Sequence, residues 1–243
     1  MMTIGKTRHP ATTEPRGVLR AMIPGEISHQ RQAPPPALAC LVEHFWRVRW
    51  NFEGLPPKVV ETLPHPNVHI VIEPGTSQVF GVHTGRWTRA LEGRSTAFGI
   101  KFRPGAFRPL LRDAVSSLRD ASLPIEAIFG SEAHELDAIA DCRDDSKGDA
   151  RAIELAAKFL LARVPSLDQS ALLAGRMVDS VVDNREMHNA AALAKKFEMG
   201  LRAVQRLFHE YVGVGPKWVR ALVGPYVTLP PMPMNSISVS LSP

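Results

Sequence analysis

Apolar and charged residues begin to alternate at Ala37, and the alternation predicts strands. In LACLVEHFWRVRW, Phe45, Val48 and Trp50 are interleaved with charged residues, and the run is rich in the types that pleated surfaces favour. The runs VVETL, NVHIVIE, SQVFGVHTG and TAFGIKF follow, short and separated by Pro, Gly and Asn. Strands at this spacing predict a small antiparallel sheet or barrel. In NVHIVIE, Val68, Ile70 and Ile72 share one face while His69, Val71 and Glu73 share the other, so one face packs and the other is free to look into a cavity.

The period then lengthens. In RPGAFRPLLRD, Phe107, Leu110 and Leu111 recur at helical spacing after the break at Pro104-Gly105. PIEAIFG, HELDAIADC and RAIELAAKFLLARV read as helices, the last with a stripe of Ile153, Ala156, Ala157, Leu160 and Leu161, and the polar run 143–149 reads as a loop before it. Asp168 offers a helix start, and Leu173, Met177 and Val181 carry that helix to Asn184. Asn189 caps a further helix whose buried side is Leu193, Ala194 and Phe197. A break at Glu198-Met199-Gly200 precedes another with Leu201, Val204, Leu207, Phe208 and Tyr211 inward. The expected class is therefore α+β, a sheet followed by an all-α region. The expected parts are a mobile arm over 1–36, a β-rich sensor-like domain over 37–120, a helical connector over 121–165, a helix-turn-helix region over 166–223 and a disordered tail over 224–243.

Composition sets the outer limits. The 243 residues are 44% hydrophobic, enough for a core, and the net charge of +5 permits a nucleic-acid partner without requiring one. Two cysteines, Cys40 and Cys142, exclude a disulfide framework or a four-cysteine zinc site and suit a reducing cytoplasm. No continuous apolar stretch near the amino end suggests a leader or a membrane span, and no membrane partner is expected.

The basic residues gather late. From Arg185 to Arg220 there are seven against three acidic ones. With the inward stripe assigned, Arg202, Gln205 and Arg206 point outward from the second helix of the turn. Arginine and glutamine can each make paired hydrogen bonds to a base edge in the major groove, so these three are the candidate base readers of double-stranded DNA. Lys195, Lys196 and Lys217 are the candidate phosphate contacts.

LAKKFEMGLRAVQRLFHEYVGVGPKWV resembles the first helix-turn-helix of AraC-type transcriptional regulators, through Leu193-Ala194, Phe197, Val204 to Phe208 and Val212 to Pro216. LPHPNVHIVIE, VFGVHTGRW and FGIKFRPGAFRPLL resemble the sensor-like region of some members. The resemblance implies a small-molecule effector and base reading at Arg202, Gln205 and Arg206. Glu198 stands where the family has a turn glycine, and Gly200 replaces its serine cap. The family continues into a second helix-turn-helix. Here Val223-Gly224-Pro225 interrupts the linker, and the uncharged, proline-rich run after it suggests a truncated or frame-shifted carboxyl end. A single reader binds poorly, and a homodimer would restore two.

His65, His69, Glu73 and His83 form a histidine-rich cluster whose spacing is too loose to define a metal site, and no cofactor is expected. His65, His69 and Trp87 are carried as ligand candidates, although Trp46, Trp50 and Trp87, each able to line a cavity, read better as core in a short-stranded barrel. Arg103 and Arg108 read as solvating a turn. There is no G-x-S-x-G, Walker or H-E-x-x-H pattern, and the expectation is a protein that is not an enzyme. The leading reading is a sequence-specific transcriptional regulator responding to an unknown effector. Its alternative is a ligand-binding or protein-interaction module that has lost specific DNA binding.

Overall fold

The computed structural model describes residues 27–163, 166–184, 186–187 and 189–222. The expected tail over 224–243 and most of the expected arm lie outside them. Eight strands come first: β1 (Ile27–Gln32), β2 (Val42–Phe52), β3 (Lys58–Thr62), β4 (His69–Glu73), β5 (Thr76–Phe80), β6 (Trp87–Leu91), β7 (Gly93–Phe102) and β8 (Ser122–Pro124). Six form an antiparallel sheet in the order β1-β2-β7-β4-β5-β8, and β3 and β6 pair as a separate ribbon. The helices are α1 (Glu126–Phe129), α2 (Asp137–Ala140), α3 (Ser146–Arg163), α4 (Gln169–Asp183), α5 (Ala190–Lys196), α6 (Leu201–Leu207) and α7 (Pro216–Ala221). The class is α+β, as the change of period implies.

The sheet separates its faces as the pleat requires. Phe45, Ile70, Ile72, Phe98, Ile100 and Phe102 join the main core, where they meet Ile139 of α2 and Ala152, Ala156, Phe159 and Leu160 of α3. Arg47, itself buried, donates to the carbonyls of Ile139 (3.2 Å) and Cys142 (3.4 Å), and Arg49 pairs with Asp149 of α3. These contacts fasten the helical layer to that face.

A second core holds the last helices. Ala174, Met177, Val178 and Val181 of α4 meet Leu193 of α5, Val204 and Leu207 of α6, Phe208, Val212, and Val219 of α7. Both predicted caps form: Asp168 accepts from the Ala171 amide at 2.6 Å and Asn189 from the Ala192 amide at 2.9 Å. After Leu207 the helix widens into one π turn over Phe208–Val212, closed by the Gly213 amide on the Phe208 carbonyl (2.8 Å), with Gly213 at φ 87°.

Four expectations are corrected. The segment given to a mobile arm contains β1, an edge strand paired along its whole length with β2. The loop over 143–149 is cut short because α3 begins at Ser146, and Asp149 is buried against Arg47 and Arg49 instead of solvated. The helix expected after Pro104-Gly105 is reduced to short 3-10 turns at Arg108–Leu110 and Val115–Leu118. Leu201, expected inward, is 46% exposed, because it is the first residue of α6, where the stripe runs past the end of the core.

Candidate functional site

The remaining face of the sheet carries His44, Trp46, Val48 and Trp50 from β2, His69, Val71 and Glu73 from β4, and Ala97 and Lys101 from β7. With the β3–β6 ribbon over it, this face encloses a cavity of about 250 Å³. The ribbon is tied down by Arg89 of β6, which makes two hydrogen bonds to the Glu73 carboxylate, one of them at 2.7 Å, and lies over the Trp50 ring. Trp87 meets the Phe80 ring edge-on, 6.3 Å between centres.

The registers sort the lining into two ends. His44 sits opposite Lys101, Lys101 opposite His69, and His69 opposite Phe80, so one polar row crosses β2, β7 and β4 and ends on an aromatic ring of β5. Further along, Trp50, Val71, Leu91 and Ala97 form an apolar end, with Val48 and Val60 against them. Gly99 lies between the two. A Cβ there would stand 1.8 Å from the Trp46 indole, so the missing side chain lets that ring lie flat across β7. From this position the Trp46 Nε1–H donates to His69 Nδ1 at 3.4 Å. Because an indole nitrogen only donates, Nδ1 must be the accepting nitrogen and the His69 proton sits on Nε2.

A register shift between Val42 and His44 isolates Glu43, and the irregularity turns its carboxylate toward the polar row. Lys101 Nζ donates to Glu43 Oε1 at 3.1 Å and Asn67 to Oε2 at 2.9 Å. Burial alone would raise the Glu43 carboxyl, but Lys101 and His44 beside it bring it below its ordinary value. Burial lowers the Lys101 ammonium, opposed by Glu43.

Five imidazoles face this space: His29, His44, His65, His69 and His83. Burial, and then Arg31, pushes His29 down to about 4. Burial, and then Lys101, pushes His65 to about 4, His44 to about 3 and His69 well below 6.5. His83 is lowered by burial as well. All five are neutral near pH 7. The Nδ1 of His29 and the Nε2 of His83 are buried without a hydrogen-bond partner among the described residues.

His65, His69 and Trp87, the three ligand candidates, all line this cavity, and so do Trp46 and Trp50, which had read better as core. Trp50 does both, packing in the apolar end while donating to the Glu92 carbonyl at 3.0 Å. Glu73 is engaged by Arg89, and among the described residues no group of three His, Cys, Asp or Glu is placed to hold a metal ion. Sequence reasoning missed His29, Arg31, His44 and Lys101. The first two sat in the supposed arm, although Ile27, His29 and Arg31 alternate with Ser28, Gln30 and Gln32 as a strand should. Arg103 and Arg108 do not solvate a turn. Arg103 donates to the Ala39 carbonyl at 2.7 Å, and Arg108 to Glu210 at 3.2 Å and to the Leu111 carbonyl at 2.8 Å.

The second candidate surface is on α6. Arg202, Gln205 and Arg206 are exposed on one side while Val204 and Leu207 are buried on the other. The turn before it holds Glu198 at φ 53°, the left-handed conformation that glycine adopts without cost. Lys195 and Lys217 are exposed, and Lys196, also exposed, donates to Ser180 Oγ. One turn further, His209 bonds Ser116 (3.0 Å), and Tyr211 donates to Asp168 at 2.8 Å.

Residues 30–124 match a family model described as a domain of unknown function, DUF6597. The match takes in the whole sheet except the first residues of β1, and with it all of the cavity lining but Ile27 and His29, but covers less than half of the chain. The chain is also similar to "Lipase A" of Moesziomyces aphidis, 34% identical over 64 residues, which are 26% of this chain and 14% of that protein. No solved structure matches the chain. The lipase likeness corrects the expectation that the protein is not an enzyme: with a relative so named, that exclusion is withdrawn. Because the likeness spans so small a part of either chain, it does not assign an activity. Among the described residues, no helix is long and apolar enough to cross a membrane.

Proposed function

We propose that the chain is a DNA-binding transcriptional regulator of AraC-like type, with the cavity between sheet and ribbon as the seat of a small-molecule effector. The observation that carries this reading is the exposed row Arg202, Gln205 and Arg206 on a helix whose other side is sealed into the core shared by α4 to α7. A helix held this way presents base-reading side chains with their backbone immobilised, as groove recognition needs. Lys195 and Lys217, exposed on the neighbouring helices, supply phosphate contacts that fix register. The sequence resemblance over the same helices supports the reading, and the cavity, lined mostly by residues within 30–124, gives an effector a place to bind.

Titration with duplex DNA at two salt concentrations tests it. Affinity should fall steeply as salt rises, and Arg206→Ala should weaken binding to a preferred sequence by about 1–3 kcal/mol. Absence of salt-dependent binding at low ionic strength overturns the reading. A second reading, a ligand-binding module without specific DNA recognition, is favoured by one observation: the cavity is lined by the strands and the loops between them, with no residue from α1 to α7. Steep salt dependence without sequence preference is the result that would select it.

A further inference from the structure

From the division of the cavity into an aromatic end and a donor-rich end, we infer that its ligand is a small aromatic monoanion, a single ring carrying a carboxylate. The inference deepens the reading of this cavity as an effector site and rests on it.

Size comes first. At about 250 Å³, the cavity lies just below the usual range for drug-sized ligands, so it suits one ring with a short substituent. Trp46, Trp50, Trp87 and Phe80 provide the flat apolar walls such a ring stacks against.

The hydrogen-bonding inventory gives the sign of the charge. Each carboxylate lining the cavity already has a cationic partner, Glu73 in Arg89 and Glu61 in Arg86 at 3.9 Å, and Glu43 behind the lining is held by Lys101. A cationic ligand would therefore have to displace an existing pair. The donors are not used up in the same way. Lys101 has three ammonium protons, and among the described residues it gives one side-chain bond, to Glu43. His69 holds its proton on Nε2 because Trp46 occupies Nδ1, which makes that edge a donor on the same polar row. Lys101 and His69 are direct cross-strand neighbours, so two donors converge where a two-oxygen acceptor would sit. The ring would then point to the apolar end, past Trp46.

The experiment is calorimetric titration of the intact protein, without DNA, using benzoate, benzyl alcohol, benzylamine and acetate as probes. Benzoate should bind saturably at one site, benzyl alcohol at least roughly tenfold more weakly for want of the charge-assisted bonds, and benzylamine and acetate not measurably. In Lys101→Met, folded as judged by circular dichroism, benzoate should lose its advantage over benzyl alcohol. Should that variant fail to fold, the charge series on the unaltered protein decides. Benzylamine or benzyl alcohol binding as tightly as benzoate, no saturable benzoate binding into the millimolar range, or undiminished benzoate affinity in folded Lys101→Met would overturn the inference. Because DNA is absent, failure here removes the ligand class and leaves the DNA reading standing. Failure of the salt titration does the reverse.

Discussion

Glu198 and the cavity histidines show how single positions carry costs that the surrounding fold sustains. Glu198 adopts φ 53° in the turn between α5 and α6, where a side chain is strained and a glycine is not. Glu198→Gly should raise stability by up to about 1 kcal/mol in chemical denaturation, with no change in the helices on either side. The histidines act through pH. Unfolded imidazoles take up protons near 6.5, whereas His29 and His65 in the fold do so only near 4 and His44 near 3. Between those values the unfolded chain holds more protons, so the stability they contribute is complete above about 6.5 and drains away as pH falls toward 4. The melting temperature should drop across that window, and His65→Gln should flatten the drop. An equal drop in the variant would mean that His65 is not held neutral by burial.

At the scale of elements, local pattern and long-range pairing divide what the sequence discloses. The two faces of β4 were legible because strict alternation leaves one choice of register for the apolar side. The starts of α4 and α5 were legible because a capping Asp or Asn acts within three residues of itself. The start of α3 was hidden. A run such as Asp144-Asp145-Ser146-Lys147 reads as solvated, and the partners that draw Asp149 inward, Arg47 and Arg49, lie about a hundred residues earlier on β2. β1 was hidden for a similar reason: its cavity side holds His29 and Arg31, polar residues whose burial depends on a ribbon that arrives later in the chain. Of the candidate site, the histidines after β3 stood out by their density, but His44 and Lys101 became visible only when β2 and β7 were paired. The α6 face was readable in advance because it depends on helical period alone.

Across the whole molecule, the sheet and the terminal helices meet through closely fitted contacts. A Cβ on Gly105 would lie 2.7 Å from the Ala171 carbonyl, and one on Gly213 3.1 Å from that of Val115, so both close approaches depend on glycine. Arg108 to Glu210 and Ser116 to His209 cross the same boundary. Val82, from the loop after β5, is fully buried among residues of α4 to α7. Val82→Ala should cost about 2 kcal/mol and lower the unfolding midpoint of sheet and helices together, followed by tryptophan fluorescence and far-ultraviolet dichroism. A shift in one signal alone would show that the two parts unfold independently.

The same loop has a geometric consequence. Gly81 and His83 line the cavity, while Val82 between them reaches into the helical core. Its backbone is pinned on both sides, by the Gly81 amide on the Ala121 carbonyl (3.0 Å), the Asp120 amide on the Val82 carbonyl (3.0 Å) and Thr84 on the Asp120 carboxylate (2.6 Å). Three consecutive residues thus face two compartments in turn, with the Leu118–Ala121 turn bonded to their backbone. A substitution at any of the three therefore alters either the cavity lining or the helical packing through one short stretch of shared backbone.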